Sequence, residues 1–394
     1  MYLFTIIFMV MLSGMEVDLF IPSFPQLQES FNLSPFMVEM TLSMNLIAHF
    51  FAAFITGNLG DRYGRKFVIS SGLGIFILGS IFCVFATSFP ALLLGRILQG
   101  IGISGASVLS YVLISDSYSK KKAQQLMGVV NGVITVAMAF APVIGSYVNL
   151  FFNWRGNFTV LLIMGIISLI LVQLFIEDKH EKQEISLSLK NYKPIFTSRK
   201  AVLYIITLTF LCQSYWVFIG MSPILYMNDL GVNIKDFGLY QGAISAVFAI
   251  GCFSSPYFLK KFGTVNCFKI SILLIFIFFI LTAIATLLNI KDPLILTLIM
   301  LVEAISMVYP MNILWPLALS AVKGAKGRMG AMLVSMRLIS TAIAIGIASY
   351  FYNGNFITIG TSICITLVIS GVSVYLLIKD YNVLDFYDKE EHED

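Results

Sequence analysis

Twelve apolar runs of about 20 residues, each closed by a short break of charge, proline or glycine, succeed one another along this chain and leave it few ways to fold. A helix rises 1.5 Å per residue, so each run is long enough to cross the roughly 30 Å hydrocarbon core of a bilayer. In lipid every backbone N–H and C=O must find its partner within the chain, which makes runs of this length helices. They fall at about 2–25, 37–59, 67–87, 90–115, 124–150, 157–176, 201–227, 237–258, 267–289, 293–319, 329–353 and 357–378. The chain is 58% apolar and 12% charged, against about 45–50% and 25% for a soluble domain, so the excess cannot be hidden in a water-soluble core. An all-α polytopic membrane protein with twelve transmembrane helices is expected.

An even number of spans puts both termini on one side. On that scheme twenty of the 25 lysines and arginines fall in the loops and tail of one side, and only Arg155, Lys235 and Lys291 in those of the other. Cytoplasmic loops carry the basic excess, so both termini are expected in the cytoplasm and the protein in the cell (inner) membrane. The net charge of +4 thus reports orientation, not a nucleic-acid partner. The longest polar stretch divides the spans into two sixes: a first half at 1–176, a cytoplasmic linker at 177–200, a second half at 201–378 and an acidic tail at 379–394. The five cysteines are scattered in or beside apolar runs and read as small hydrophobes. No basic leader or cleavage site precedes the first run.

Between the second and third runs lies Gly57-Asn58-Leu59-Gly60-Asp61-Arg62-Tyr63-Gly64-Arg65-Lys66, a turn too short for anything but an antiparallel pair. Gly60 and Gly64 allow close backbone approach, Asp61 falls at a helix end, and Arg62, Arg65 and Lys66 supply cations to one membrane face. Tyr63-Gly64 has a faint echo in Phe262-Gly263 after the eighth run. The pattern resembles the loop signature of the major facilitator superfamily. That resemblance implies two six-helix halves, a small-molecule substrate held between them near the midplane, and a conformational role for the 57–66 turn.

The first span carries Glu16 and Asp18, followed by Pro22. An ionised carboxylate costs at least about 2.5–3.5 kcal/mol inside a bilayer, so it needs a partner or a task. Residues two apart point about 200° from each other on a helix, so both acids face one cavity only if the helix bends. Pro22 withdraws a hydrogen bond from the carbonyl of Asp18, which favours such a bend. Counting rise, Asp18 and Arg96 of the fourth span both lie about 10 Å below the outer surface. Either Asp18 or Glu16 then exchanges a proton against pairing with Arg96, or the pair is a static bridge that fixes packing.

Arg96 sits in Leu93-Leu94-Gly95-Arg96-Ile97-Leu98-Gln99-Gly100-Ile101-Gly102. The stretch resembles the superfamily's fourth-helix motif, whose arginine is implicated in proton movement in exporters. Its Gly100-x-Gly102-x-x-Gly105 lacks the preceding strand of a dinucleotide site, and its small residues instead suit close helix approach. In the fifth span Ala137, Ala141 and Gly145 form a flat stripe beside Pro142, a hinge made of Ala141, Pro142 and Gly145. The stripe is similar to an antiporter signature, departing from it at Ala141 and Ser146. With Asp18-Leu-Phe-Ile-Pro22 and Asn153-Trp154-Arg155-Gly156-Asn157-Phe158, the first half looks most like bicyclomycin-resistance-type drug:proton antiporters.

In the second half, rise arithmetic brings Glu303 and Arg337 close enough to pair, for packing or for coupling. His49 reads as a packing residue. Tyr111, Tyr147, Trp216 and Tyr309 could line a pocket for planar or cationic ligands. The function expected is proton-coupled export of small amphipathic molecules by a monomer that alternates access, without cofactor, metal or enzymatic chemistry. Proton-coupled uptake of a nutrient is the first rival, and a non-transporting receptor the second.

Overall fold

The computed structural model describes residues 1–118, 120–177, 192–323 and 325–381. The side chains of Asn58, Asp61 and residues 120–125, 128, 131, 326 and 327 lie outside that description. Most of the expected linker and tail, the expected part of Asp61 in its turn, and the lysines at 120–122 therefore fall outside it. Every described regular element is a helix. The α-helices in order are α1 (Tyr2–Asp18), α2 (Phe24–Phe31), α3 (Pro35–Tyr63), α4 (Arg65–Val84), α5 (Phe89–Ser117), α6 (Lys120–Phe175), α7 (Lys193–Thr197), α8 (Arg199–Pro223), α9 (Ile234–Phe262), α10 (Thr264–Leu287), α11 (Pro293–Leu319), α12 (Lys326–Tyr350) and α13 (Phe356–Tyr381), with a π-helical stretch at Ile224–Asp229 after α8.

Among the described residues eleven helical stretches are long and apolar enough to cross a membrane. One of them, Gly132–Phe175, has 44 residues and spans about 66 Å, twice the core of a bilayer. It breaks at Asn153, whose backbone adopts φ 54°, ψ −173°. That stretch is two crossings, which gives the twelve the sequence led one to expect. The break is pinned from its neighbours. Asn153 Oδ1 accepts from the N–H of Arg155 at 3.0 Å, the N–H of Trp154 donates to Gln26 Oε1 at 3.0 Å, and Trp154 Nε1 donates to Ser30 Oγ at 3.1 Å. Arg155 covers the Trp154 ring at 4.1 Å and donates to the carbonyl of Ala86.

The first span is likewise interrupted. α1 ends at Asp18, a 3-10 turn covers Ile21–Ser23 around Pro22, and α2 carries the chain on to Phe31, six residues beyond the expected end. Pro22 has no N–H for the carbonyl of Asp18, and Ser23 closes the tighter ring onto Phe20 instead.

The chain divides into two compact units, residues 1–187 with 226–242, and residues 188–225 with 243–394. In the first, close packing rests on glycine. A Cβ on Gly79 would lie 2.7 Å from the carbonyl of Gly95, one on Gly72 would lie 2.7 Å from that of Gly102, and one on Gly100 would strike the backbone of Asn45. Thus α4 and α5 meet backbone to backbone, and α3 meets α5 on its other side, as small-residue faces do in lipid. A Cβ on Gly145 would strike the carbonyl of Leu19, so α6 is pressed on the end of α1 in the same way. In the second unit α8 is central, packed by α11, α12 and α13. Tyr204, Leu208, Ile313 and Leu333 belong to its core, and the short α7 tucks Ile195 beneath it.

The turn between α3 and α4 is made by Gly64 at φ 97°, ψ 144°, and that between α9 and α10 by Gly263 at φ 78°, ψ 155°. The echo noticed in the sequence is therefore an echo in backbone conformation, in a region essentially closed to residues with a Cβ. Gly64→Ala is expected to destabilise the protein by about 1–3 kcal/mol. A lowered midpoint in thermal unfolding of the detergent-solubilised variant would check it.

Candidate functional site: a buried arginine network with unpartnered acids

Four helices of the first unit converge on Arg96. Its side chain is 0% exposed. Nη1 contacts Glu16 Oε1 of α1 at 3.0 Å and Gln99 Oε1, one turn along α5, at 2.7 Å, while Nε donates to the carbonyl of Thr41 on α3 at 3.2 Å. Asn45, also on α3, donates from Nδ2 both to Glu16 Oε1 at 2.7 Å and to the carbonyl of Arg96 at 3.0 Å. From α4, Ser80 accepts from Gln99 Nε2 at 2.9 Å and fixes that amide. The guanidinium lies over the Phe20 ring at 4.1 Å, with Phe158 at 5.9 Å. Paired charges sealed from water survive only with this density of hydrogen bonds, since each costs several kcal/mol to desolvate.

Of the two acids of the first span, Glu16 takes the arginine. Asp18, placed in the same layer by rise arithmetic, is 1% exposed, and neither carboxylate oxygen has a hydrogen-bond partner. The reason is helical phase. α1 stays helical through Asp18, so two residues of rotation turn one acid to α5 and the other away from it. The expected bend at Pro22 comes too late to bring both round.

In the basic turn Arg65 pairs with Asp116 at the C-terminal end of α5, Nε to Oδ2 at 3.3 Å, an acid the sequence reading passed over. Lys66 Nζ donates to the carbonyl of Gln173 at 2.9 Å, and Gly60 leaves room for Leu109. Gly57 has open space beside it, so close approach does not explain that glycine. Arg62 lies beside the Tyr63 ring at 5.2 Å. In the expected hinge, Ala141 is buried, Pro142 lies within α6 and Gly145 makes the contact with Leu19. His49 meets Ser107 Oγ at 3.0 Å, a packing contact between α3 and α5.

The expected Glu303–Arg337 ion pair does not form. Glu303 is buried, with the Ser214 side chain beside it and no bond to Arg337, and Arg337 lies beside Cys212. α11 and α12 both pack on α8, where the side chains flanking the two groups, Ser214 and Cys212, are two residues apart and point about 200° from each other. Of the four candidate aromatics, Tyr111 and Tyr147 belong to the first unit, where Tyr147 is 44% exposed. Trp216 and Tyr309 belong to the second, Trp216 edge-on to Tyr215 at 5.6 Å and Tyr309 against the α8 core.

Sequence reasoning missed Asn45 and Gln99, the neutral side chains that complete the arginine's shell. It also missed Glu39 of α3, 0% exposed with both carboxylate oxygens unpartnered. An acid inside the boundaries of a span was the available signal.

A family model described as Major Facilitator Superfamily matches residues 6–348. The chain is 26% identical over 289 residues to a bicyclomycin resistance protein homolog of Haemophilus influenzae, the match covering 70% of this chain and 71% of that protein. It is 26% identical over 262 residues to the multidrug resistance protein MdtL of Shigella dysenteriae, covering 64% and 65%. Among solved structures it is similar to a bacterial homolog of the human lysosomal transporter Spinster in an inward-facing, occupied conformation, with TM-score 0.70, 16% identity and coverage of 97% and 96%. It is also similar to the xylose transporter XylE from E. coli in a partially occluded inward-open conformation, with TM-score 0.72, 15% identity and coverage of 96% and 97%.

Proposed function

This chain belongs to the major facilitator superfamily, and on that premise we propose that it exports small amphipathic molecules in exchange for protons, as a monomer working by alternating access. The observation that carries the reading is the contrast within α1: Glu16 bonded to Arg96, and Asp18 buried two residues on with no partner. A lone carboxylate sealed from water is too costly to stay ionised, so Asp18 holds a proton while buried. Opening its end of α1 to water removes that cost and lets the proton leave. Glu16 and Arg96 hold the helix in register meanwhile. The resistance proteins of similar sequence support export, although the matched regions span only 71% and 65% of their lengths.

The reading further places both termini in the cytoplasm of the cell (inner) membrane, from the lysine and arginine count. It divides the chain into six-helix halves at 1–176 and 201–378 and uses the 57–66 turn as a switch between conformations. Tyr111, Tyr147, Trp216 and Tyr309 are its candidate substrate contacts, and Ala141, Pro142 and Gly145 its hinge.

The test is a proteoliposome assay with bicyclomycin as the first probe, followed by a panel of amphipathic drugs. With an imposed pH gradient, probe and protons are expected to cross in opposite directions. Movement of both in the same direction would overturn export in favour of uptake, and no proton flux with any probe would overturn transport coupling altogether.

A further inference from the structure

The proton-exchange reading above uses Asp18 and leaves Glu39 without a task. Glu39 is the fifth residue of α3, about 6 Å along the axis from the helix start. It lies two residues before Thr41, whose carbonyl holds Arg96 Nε. It is 0% exposed and neither oxygen accepts a hydrogen bond. The start of the helix does not use it: Ser34 caps α3 by accepting from the N–H of Met37, and Val38 bonds back to the carbonyl of Ser34. No titratable or charged group on the helices packed against α3 partners it. On α5, Arg96 is engaged by Glu16, Asp116 by Arg65, and Tyr111 lies in the inner half. On α4, Arg65 and Lys66 stand at the opposite end and Cys83 turns to Gln99. On α2, Glu29 is exposed.

A packing role would be filled at lower cost by leucine or methionine, since an unpartnered buried carboxylate costs several kcal/mol and a hydrocarbon costs none. Neutralised by a proton, the same side chain tolerates its site. We propose that Glu39 is a second proton-binding site, loaded from the outer solution, so that enclosing this side chain and taking up one proton are a single step. One O–H bond forms on a Glu39 carboxylate oxygen as the side chain is enclosed. The same bond breaks, its proton passing to water, when the side chain is exposed. External pH then governs how readily this end of the helix closes, separately from the proton carried on Asp18.

The test uses the wild-type protein in lipid nanodiscs and needs no transported ligand. Dicyclohexylcarbodiimide attacks protonated carboxyls in apolar surroundings, and mass spectrometry of peptides reads the site. Glu39 is expected to be labelled at neutral and acidic pH, with labelling falling about tenfold per pH unit above its midpoint, as for one titrating acid. In Glu39→Gln the adduct is expected to vanish from that peptide and persist at Asp18. Label on Asp18 in that variant is expected to keep its own pH profile, and Glu39→Asp is expected to restore a pH-dependent adduct at position 39. Absence of label on Glu39 between pH 5 and 9, while Asp18 in the same sample is labelled, would overturn the proposal. Protection by sodium at fixed pH would also overturn it, in favour of a metal cation. A labelled Glu39 without label on Asp18 would instead strike at the exchange assigned to Asp18 and leave this inference standing.

Discussion

Glu16→Ala is expected to destabilise the protein by about 3–5 kcal/mol, the usual loss when one partner of a buried ion pair is removed. The substitution leaves the Arg96 guanidinium 0% exposed, with Gln99 and the Thr41 carbonyl as neutral acceptors and no counter-charge. It also takes one of the two acceptors from Asn45 Nδ2. The measurement is thermal unfolding in detergent, with the yield of monodisperse protein beside it. Glu16→Gln keeps an oxygen where Arg96 and Asn45 need one and is expected to lose less. Glu16→Ala combined with Arg96→Met is expected to recover part of the loss, because the stranded charge is gone. A Glu16→Ala variant as stable as the parent would show that the pair contributes nothing to the fold.

Asp18→Asn is expected to do the reverse. Asparagine has the shape of a protonated aspartic acid, and no bond is lost because Asp18 makes none. Stability should fall by no more than about 1–3 kcal/mol, the cost of an unpaired buried amide N–H, while proton-driven transport falls at least about a hundredfold, since an amide cannot exchange a proton at any physiological pH. Proteoliposome flux under an imposed pH gradient measures the second effect, and the unfolding midpoint the first. Normal flux in a folded Asp18→Asn protein would end the assignment. The two acids thus separate in opposite directions, one by loss of fold and the other by loss of coupling.

Much of this was legible in the chain itself. Twelve crossings follow from run length, since apolar length against a fixed bilayer is a local quantity. The 57–66 turn announces itself through Gly64, whose backbone conformation excludes other residues. What escaped was phase and side-chain direction. Rise along an axis put Asp18, Glu16 and Arg96 in one layer, but only rotation decides which acid faces the arginine. Glu303 and Arg337 agree in depth and still do not pair, because depth says nothing of side-chain direction. Asn45 and Gln99 carry no charge, so a search for expensive residues passed them by. Glu39 did carry one, close to the start of its run, where an acid reads as a flank rather than as an interior group.

The glycine contacts have a mechanical corollary. α3, α4 and α5 touch through main chain, with no layer of pliable side chains to absorb sliding, and the end of α1 is braced in the same fashion on α6. Two stiff planks result, and Glu16–Arg96 is the ionic clasp between them. A tilt of α1 against α3 and α5 therefore loads that clasp and the Asn45–Glu16 bond beside it, while the bond from Arg96 to Gln99 stays within α5.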